Sequence, residues 1–269
     1  MALRGIFGVV HLPAMPGDPA ATGSFDDVLQ HAHADAAALR EGGVDGIVVE
    51  NFGSVPFAKG DASSPLPPHQ VAAITRAVLA VRDAFGGPVG VNCLRNDARA
   101  ALGIAAATGA AFVRVNVHVG AYVTDQGLIE GSAHDSLRYR ASLGADHVAL
   151  LADVLVKHAT PLAPVTPEDA TADTVLRGLA DGVIVTGRAT GAPVDRDLLQ
   201  AVGSAAAGRP VFIGSGLTPE RAPELAPLCD GAIVGTYFKR DGQVRAPVEA
   251  DRVKTLCAVA RPLLRAQNA

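Results

Sequence analysis

The sequence predicts an α/β fold, a single (β/α)8 TIM barrel spanning 1–269 with long βα loops at its carboxyl end, and three observations carry that reading. Apolar strand-like runs alternate with alanine-rich helical stretches eight times along the chain. The phrase Asp-Gly followed by three apolar residues recurs as Asp45-Gly46-Ile47-Val48-Val49, Asp181-Gly182-Val183-Ile184-Val185 and Asp230-Gly231-Ala232-Ile233-Val234. Each instance reads as a tight turn feeding a buried strand. Helix-to-strand links are terse while several strand-to-helix links are long, and active sites of this fold are assembled on the strand-to-helix side.

In chain order, strands are expected near 5–10, 46–50, 88–93, 112–117, 147–153, 182–186, 210–214 and 231–235. Their near-continuous apolar character fits parallel strands covered on both faces. Helices are expected near 24–41, 68–85, 97–108, 131–143, 168–179, 194–206, 218–226 and 248–265. The seventh is expected to open with Thr218 as its N-cap and Pro219 at the first helical position. Terse links include Gly86-Gly87-Pro88, Ala180-Asp181-Gly182 and Gly208-Arg209-Pro210; the long ones are HLPAMPGDPAATG, NFGSVPFAKGDASSPLPP and HVGAYVTDQGLIEG. The stretch around Pro65, Pro67 and Pro68 reads either as a stiff surface loop or as a cover over substrate.

A hydrophobic fraction of 49%, a charged fraction of 19% and a net charge of −4 leave no basic excess for a nucleic-acid backbone. The opening MALRGIFGVVHLP lacks the apolar length and cleavage site of a signal peptide. No stretch approaches about 18 uninterrupted apolar residues, so no spanning segment is expected. Cys93, Cys229 and Cys257 show no Cys-x-x-Cys spacing, which suits a reducing compartment and leads to a cytoplasmic expectation. The sequence leaves room for a homo-oligomer.

The strand ends carry the polar residues. RVNVHVG alternates Arg114, Asn116 and His118 with Val113, Val115, Val117 and Val119, so the polar set is expected to face the barrel and the valines the helices. An arginine persists there only if paired, with Glu50 and Asp153 as candidate partners. His11, Asn92 and Thr186 end three further strands. If the fifth strand runs on through Leu155, Asp153 and Lys157 share a side, and that amine serves as base, Schiff-base former or anion clamp. His158 has the opposite parity. His11, Glu50, His118, Asp153 and His158 are residue types that bind divalent ions, but their spacing contains no local ligand motif, so a metal is not favoured and no cofactor is assigned. Cys93 reads as a small buried apolar residue before it reads as a nucleophile.

In FIGSGLTPE, Gly214, Ser215 and Gly216 follow the seventh strand, and Gly235 and Thr236 follow the eighth. Barrels commonly hold phosphate on backbone amides at this place. A small phosphorylated ligand is therefore the expected partner; the bland alternative is that these glycines only turn the chain.

The motifs HLPAMPG, GGVDGIVVENFG, NCLRND, RVNVHVGAYVTDQGLIEG, ADVLVKHA, VTG, GSGLTPE and IVGTYFKRDG together resemble the BtpA family, named for a photosystem I biogenesis protein, over nearly the full chain. The resemblance implies a barrel like the phosphate-binding barrels of ribulose-phosphate and tryptophan-pathway enzymes, and it implies no particular reaction. The expected function is an enzyme acting on a small phosphorylated sugar or nucleoside-derived compound. Glu50 and Asp153 are the expected acid and base, Lys157 and Arg114 the electrostatic stabilisers. His11, Asn92, Asn116 and Thr186 orient substrate, and Gly214, Ser215, Gly216, Gly235 and Thr236 hold phosphate. Isomerase or lyase chemistry is slightly favoured over an N-glycosidic hydrolase. The rival from another class is a non-catalytic photosystem-type assembly or regulatory factor. Convergence of Glu50, Arg114, Asn116 and Asp153 in one place separates the two.

Overall fold

The computed structural model describes residues 3–187 and 190–266. In chain order its strands are β1 (Gly5–His11), β2 (Gly46–Glu50), β3 (Val89–Asn92), β4 (Phe112–Val115), β5 (Ala121–Thr124), β6 (Gly127–Glu130), β7 (Ala149–Val154), β8 (Ala159–Pro161), β9 (Gly182–Val185), β10 (Val211–Ile213) and β11 (Gly231–Val234). The helices are α1 (Phe25–Gly42), α2 (Pro68–Phe85), α3 (Ala98–Thr108), α4 (Ala133–Ser142), α5 (Pro167–Ala172), α6 (Arg196–Ala205), α7 (Ala222–Leu225) and α8 (Ala250–Ala260). Eight strands close a parallel barrel in the order β1-β11-β10-β9-β7-β4-β3-β2. This is the TIM barrel that the repeated units predict.

The Asp-Gly phrase acts the same way in each of its three places. Asp45 Oδ2 accepts the Ile6 amide at 2.7 Å, Asp181 Oδ2 the Leu150 amide at 2.9 Å and Asp230 Oδ2 the Val211 amide at 2.9 Å. The aspartate's own amide donates to the carbonyl of that same residue. An aspartate ahead of one strand thus ties down the start of the strand beside it, satisfying backbone groups buried at the barrel floor. The glycine that follows makes room inside. A Cβ on Gly46, Gly182 or Gly231 would come within 3.0 Å of Phe7, 2.7 Å of Leu151 and 2.4 Å of Phe212, respectively.

Those large side chains, with Val9, Val48, Phe112, Ile184 and Ile233, fill the barrel interior. The Phe7 ring lies 5.4 Å from both Phe112 and Phe212, and each such buried ring contributes about 1.5–3 kcal/mol. A second, larger apolar layer joins the outer strand faces to the helices. Side chains alternate along a strand. Two residues above the interior floor, the inward positions are therefore His11, Glu50, Asn92, Arg114, Asp153, Thr186, Gly214 and Gly235.

Several elements differ from expectation, each for a local reason. The link after β4 contains the β5–β6 hairpin, and β8, from the link after β7, pairs with it in an antiparallel sheet of order β6-β5-β8. Tyr122, Ile129 and Val156 pack together beneath that sheet. The seventh helix opens at Ala222, not at Thr218, because residues 219–221 form a turn in which the Thr218 carbonyl accepts the Arg221 and Ala222 amides. The expected helix over 168–179 is α5 followed by a π-helical turn over Asp173–Arg177. The Pro65 stretch lines an outer groove against α3 rather than the barrel mouth.

Candidate active site

At the carboxyl end of the barrel lies a cavity of about 230 Å³. Its wall includes Val9 and His11 from β1, Glu50 from β2, Arg114 from β4, Lys157 after β7, Gly214–Thr218 after β10 and Gly235–Tyr237 after β11. Thr190 and Gly191 approach from the loop after β9, and Arg252 from α8. Glu50 is the one carboxylate among these lining residues, against Arg114, Lys157 and Arg252. That balance favours an anionic guest.

Beneath the cavity, Arg114 and Asp153 form a bidentate pair, Nε to Oδ1 and Nη2 to Oδ2, both at 2.9 Å. Asn116 donates to Asp153 Oδ2 at 3.1 Å, and Asn92 donates to Asn116 Oδ1 at 3.1 Å and to the Arg114 carbonyl at 3.0 Å. The Asp153 side chain is 0% exposed. Both its oxygens are engaged and it lies below the cavity wall. Asp153, expected as an acid or base, is placed instead to neutralise and orient Arg114. Burial lowers the Arg114 pKa, but the charge of Asp153 and its hydrogen bonds outweigh this and hold the guanidinium above its ordinary value.

Glu50 differs. His11 Nε2 lies 3.8 Å from its Oε1. Burial pushes its carboxyl above the ordinary range, although Arg114 and Lys157 pull the other way. Lys157 is shifted oppositely: burial, then the Arg114 charge, lowers its pKa. The carboxyl of Glu50 and the amine of Lys157, their pKa values shifted toward one another, line the same cavity. Burial, then the Lys239 and Lys157 charges, lowers the His11 pKa well below its ordinary value, leaving a neutral imidazole.

The glycine-bearing loops supply donors. Among the described residues, the amides of Gly216, Leu217, Thr236 and Tyr237 donate to no backbone acceptor. Gly216 has φ +68°, and a Cβ there would meet the backbone of Ala192 and Pro193 within 2.5 Å, so the close approach of the two loops requires glycine. Arg252 donates to the Tyr237 carbonyl at 2.6 Å and lies over the Tyr237 ring at 4.6 Å.

The BtpA family model matches residues 3–261. The chain belongs to the BtpA family. It is 46% identical to the photosystem I biogenesis protein BtpA of Synechocystis, over 92% of this chain and 85% of that one. Orotidine 5′-phosphate decarboxylase from Pyrococcus horikoshii superposes with a TM-score of 0.58 at 13% identity, covering 95% of this chain and 99% of that one. N-(5′-phosphoribosyl)anthranilate isomerase from Pyrococcus furiosus gives 0.56 at 13% identity, covering 97% and 100%. At these identities the likeness is one of fold.

In this BtpA-family barrel the structure brings together His11, Glu50, Arg114, Lys157, Gly214, Ser215, Gly216, Gly235 and Thr236 as cavity wall, with Asn92, Asn116 and Asp153 as the network under it. Three assignments shift. Lys157 does not share strand parity with Asp153, because β7 ends at Val154 and Leu155 turns with φ 50°; that turn carries Lys157 to the cavity. Thr186 accepts the Lys157 amide at 3.0 Å and so fixes that loop rather than lining the cavity. The Gly214 amide, expected to hold phosphate, donates instead to the Val185 carbonyl at 2.7 Å. The Ser215 hydroxyl accepts the Gly187 amide at 2.8 Å and donates to the Ala192 carbonyl at 3.1 Å, which steadies the loop and leaves the Ser215 amide without a backbone partner among the described residues. His118 leaves the polar set altogether: β4 ends at Val115, and the His118 ring bonds the Gly178 carbonyl at 2.7 Å. Buried Cys93 has its thiol pKa raised well above the ordinary value by desolvation, which suits packing rather than nucleophilic attack.

Sequence reasoning missed Thr190, Gly191, Tyr237, Arg252 and Arg95. Tyr237 stands in the quoted IVGTYFKRDG, but an arginine on α8 carries no local signal that distinguishes it from a solvated helix face. Arg95 reaches from the link after β3 to the Lys157 carbonyl at 3.1 Å and lies 3.9 Å from Asp125 at the hairpin tip. Among the described residues no group of three or more His, Cys, Asp or Glu side chains is arranged to hold a metal ion. No described helix is long and apolar enough to cross a membrane.

Proposed function

We propose that this BtpA-family chain is an enzyme acting by acid–base chemistry on a small phosphorylated sugar or nucleoside-derived substrate, with isomerase or lyase chemistry favoured over N-glycosidic cleavage. The observation that carries the reading is Glu50: a buried carboxyl that, among the described residues, makes no close salt bridge and lines one cavity with Lys157, Arg114 and Arg252, beside loops whose amides lack backbone partners. Phosphate is held at Gly216–Leu217 and Thr236–Tyr237 with Arg252 beside it. Glu50 moves the proton, and Lys157 with Arg114 stabilises the oxyanion that develops. Asp153, Asn116 and Asn92 hold Arg114 in place. The name of the Synechocystis relative motivates the assembly-factor alternative, whereas convergence of Glu50 and Arg114, with Asp153 and Asn116 directly beneath, supports an enzyme.

Thermal shift and calorimetry with inorganic phosphate, ribose 5-phosphate and other phosphosugars, with and without divalent ions, test the reading. Binding is expected, and Arg252→Gln is expected to weaken it about tenfold or more. Equal affinity in Arg252→Gln removes phosphate from this part of the cavity; no binding of any phosphorylated compound removes the reading.

A further inference from the structure

A second chamber of about 250 Å³ adjoins the first and has no part in the chemistry above. It lies under the link after β1, between that link and α1. The two spaces meet at His11, which lines both. They also share the turn that follows β11, since Gly242 lines the first and Val244 and Arg245 line the second. Each space is a little smaller than the roughly 300 Å³ at which small-molecule pockets usually begin, so a ligand larger than a simple phosphosugar has to use both.

The partition between them is incompletely satisfied. His11 is 9% exposed; among the described residues its Nδ1 has no partner in good hydrogen-bond geometry, and the Val244 backbone interacts with the ring only weakly, leaving that nitrogen unmatched. One side of the ring abuts the loop after β11, where a Cβ on Gly235 would come within 2.8 Å of it. On the other, its centroid lies 4.5 Å from that of Phe52, tilted 35°. Phe52 belongs to the chamber wall, with Leu12, Pro13, Val28 and Val244 making it mostly apolar. Its polar residues are mostly committed: Ser24 and Asp27 bond each other across the start of α1, and His31 lies 3.3 Å from Asp35. Exposed Arg245 and Thr22, which bond no side chain among the described residues, stand as donors at the rim together with the His11 edge.

An apolar chamber with an aromatic wall and donors at its edge fits a flat ring that carries acceptor atoms. We infer that the substrate is bipartite: its phosphorylated end occupies the loops after β10 and β11, and a planar nucleobase-like ring occupies the chamber bounded by Phe52, Val244 and Arg245, with His11 at the junction. This rests on the phosphate reading above and narrows it from phosphorylated compounds in general to ring-bearing sugar phosphates.

The test compares ribose 5-phosphate, a panel of nucleoside 5′-monophosphates and the matching nucleosides by calorimetry on the full chain. At least one nucleoside monophosphate is expected to bind at least about tenfold tighter than ribose 5-phosphate, the scale set by stacking on an aromatic side chain. Phe52→Ala is expected to erase that advantage while leaving ribose 5-phosphate affinity unchanged. Ala20→Trp, at an exposed position on the chamber wall, is expected to do the same by filling the space, and does not depend on Phe52→Ala folding. Equal affinity for ribose 5-phosphate and every nucleotide overturns the inference, as does an advantage that survives Ala20→Trp. Nucleoside binding that Ala20→Trp abolishes, with no binding of ribose 5-phosphate, upholds the chamber and overturns the phosphate site instead. Absence of binding by every compound overturns both.

Discussion

Glu50 and Asp153 belong to the same inward ring of strand-end residues and are chemically alike, yet their surroundings assign them different work. Asp153 is spent on Arg114, and removing its charge leaves a buried guanidinium uncompensated. Asp153→Asn is expected to destabilise the fold by about 3–5 kcal/mol, read by urea unfolding, and Arg114→Met/Asp153→Leu to recover much of that loss while abolishing ligand binding. A cost near zero assigns the pair no role in the fold. Glu50 faces the cavity with its pKa raised. A raised folded pKa means that the folded state binds more protons than the unfolded one, so stability falls as pH rises from the ordinary carboxylate value through the folded value. Glu50→Gln is therefore expected to raise the melting temperature more at about pH 8 than at about pH 4. Once a substrate is known, the same variant is expected to lose about 10²–10⁴-fold in turnover while ribose 5-phosphate binding persists. A Gln variant that melts like the parent at both pH values, or turns over normally, removes Glu50 from the centre of the mechanism.

At the scale of the element, the Asp-Gly unit repays comparison across its three copies. Each aspartate ties the start of the adjacent strand and also meets an arginine: Asp45 with Arg261 at 3.2 Å, Asp181 with Arg140 at 2.6 Å, Asp230 with Arg4 at 2.7 Å. Their exposure differs. The Asp230 side chain is 10% exposed, against 34% for Asp181 and 36% for Asp45. Removing a buried acceptor costs the desolvation of the amide left behind, about 1–3 kcal/mol, and less where water can replace it. Asp230→Ala is expected to be the costliest of the three alanine variants, with Asp45→Ala and Asp181→Ala below it, in matched chemical denaturation; the reverse order contradicts this account of the motif. The same reasoning covers Gly90, where a Cβ would come within 2.2 Å of Phe112. Gly90→Ala is expected to lose about 1–3 kcal/mol through overpacking.

For the whole molecule, the barrel is a rigid frame whose variable parts gather at one end. The β5–β6 hairpin and β8, from links separated by α4 and β7, form one small sheet, and Arg95 braces the Lys157 loop and lies near the hairpin tip. Ligand binding at this end adds to global stability by mass action, about 2.7 kcal/mol at one hundred times the dissociation constant. A saturating phosphorylated ligand is thus expected to raise the melting temperature of the parent chain. Arg95→Ala is expected to shrink that rise without lowering the ligand-free melting temperature by a similar amount. A ligand-free loss as large as the lost rise marks Arg95 as structural only.

The sequence by itself determined the barrel, its strands and nearly the whole inward ring of strand-end residues, because period-two alternation and the Asp-Gly unit are local and repeat. His11, Glu50, Asn92, Arg114, Thr186, Gly214 and Gly235 are legible from parity alone once the strand boundaries are known. Tertiary structure decided what parity does not encode. Whether Asp153 faces solvent or Arg114 depends on a bidentate contact across 39 positions. Lys157 reaches the cavity by a left-handed turn at Leu155, and His118 turns away because its strand stops three residues earlier. Arg252 reads as one more helix-surface arginine until the loop after β11 folds against it. The chamber beside His11 exists only where the links after β1 and β2 meet the turn after β11, segments that are far apart in the chain and touch because the barrel closes β11 onto β1.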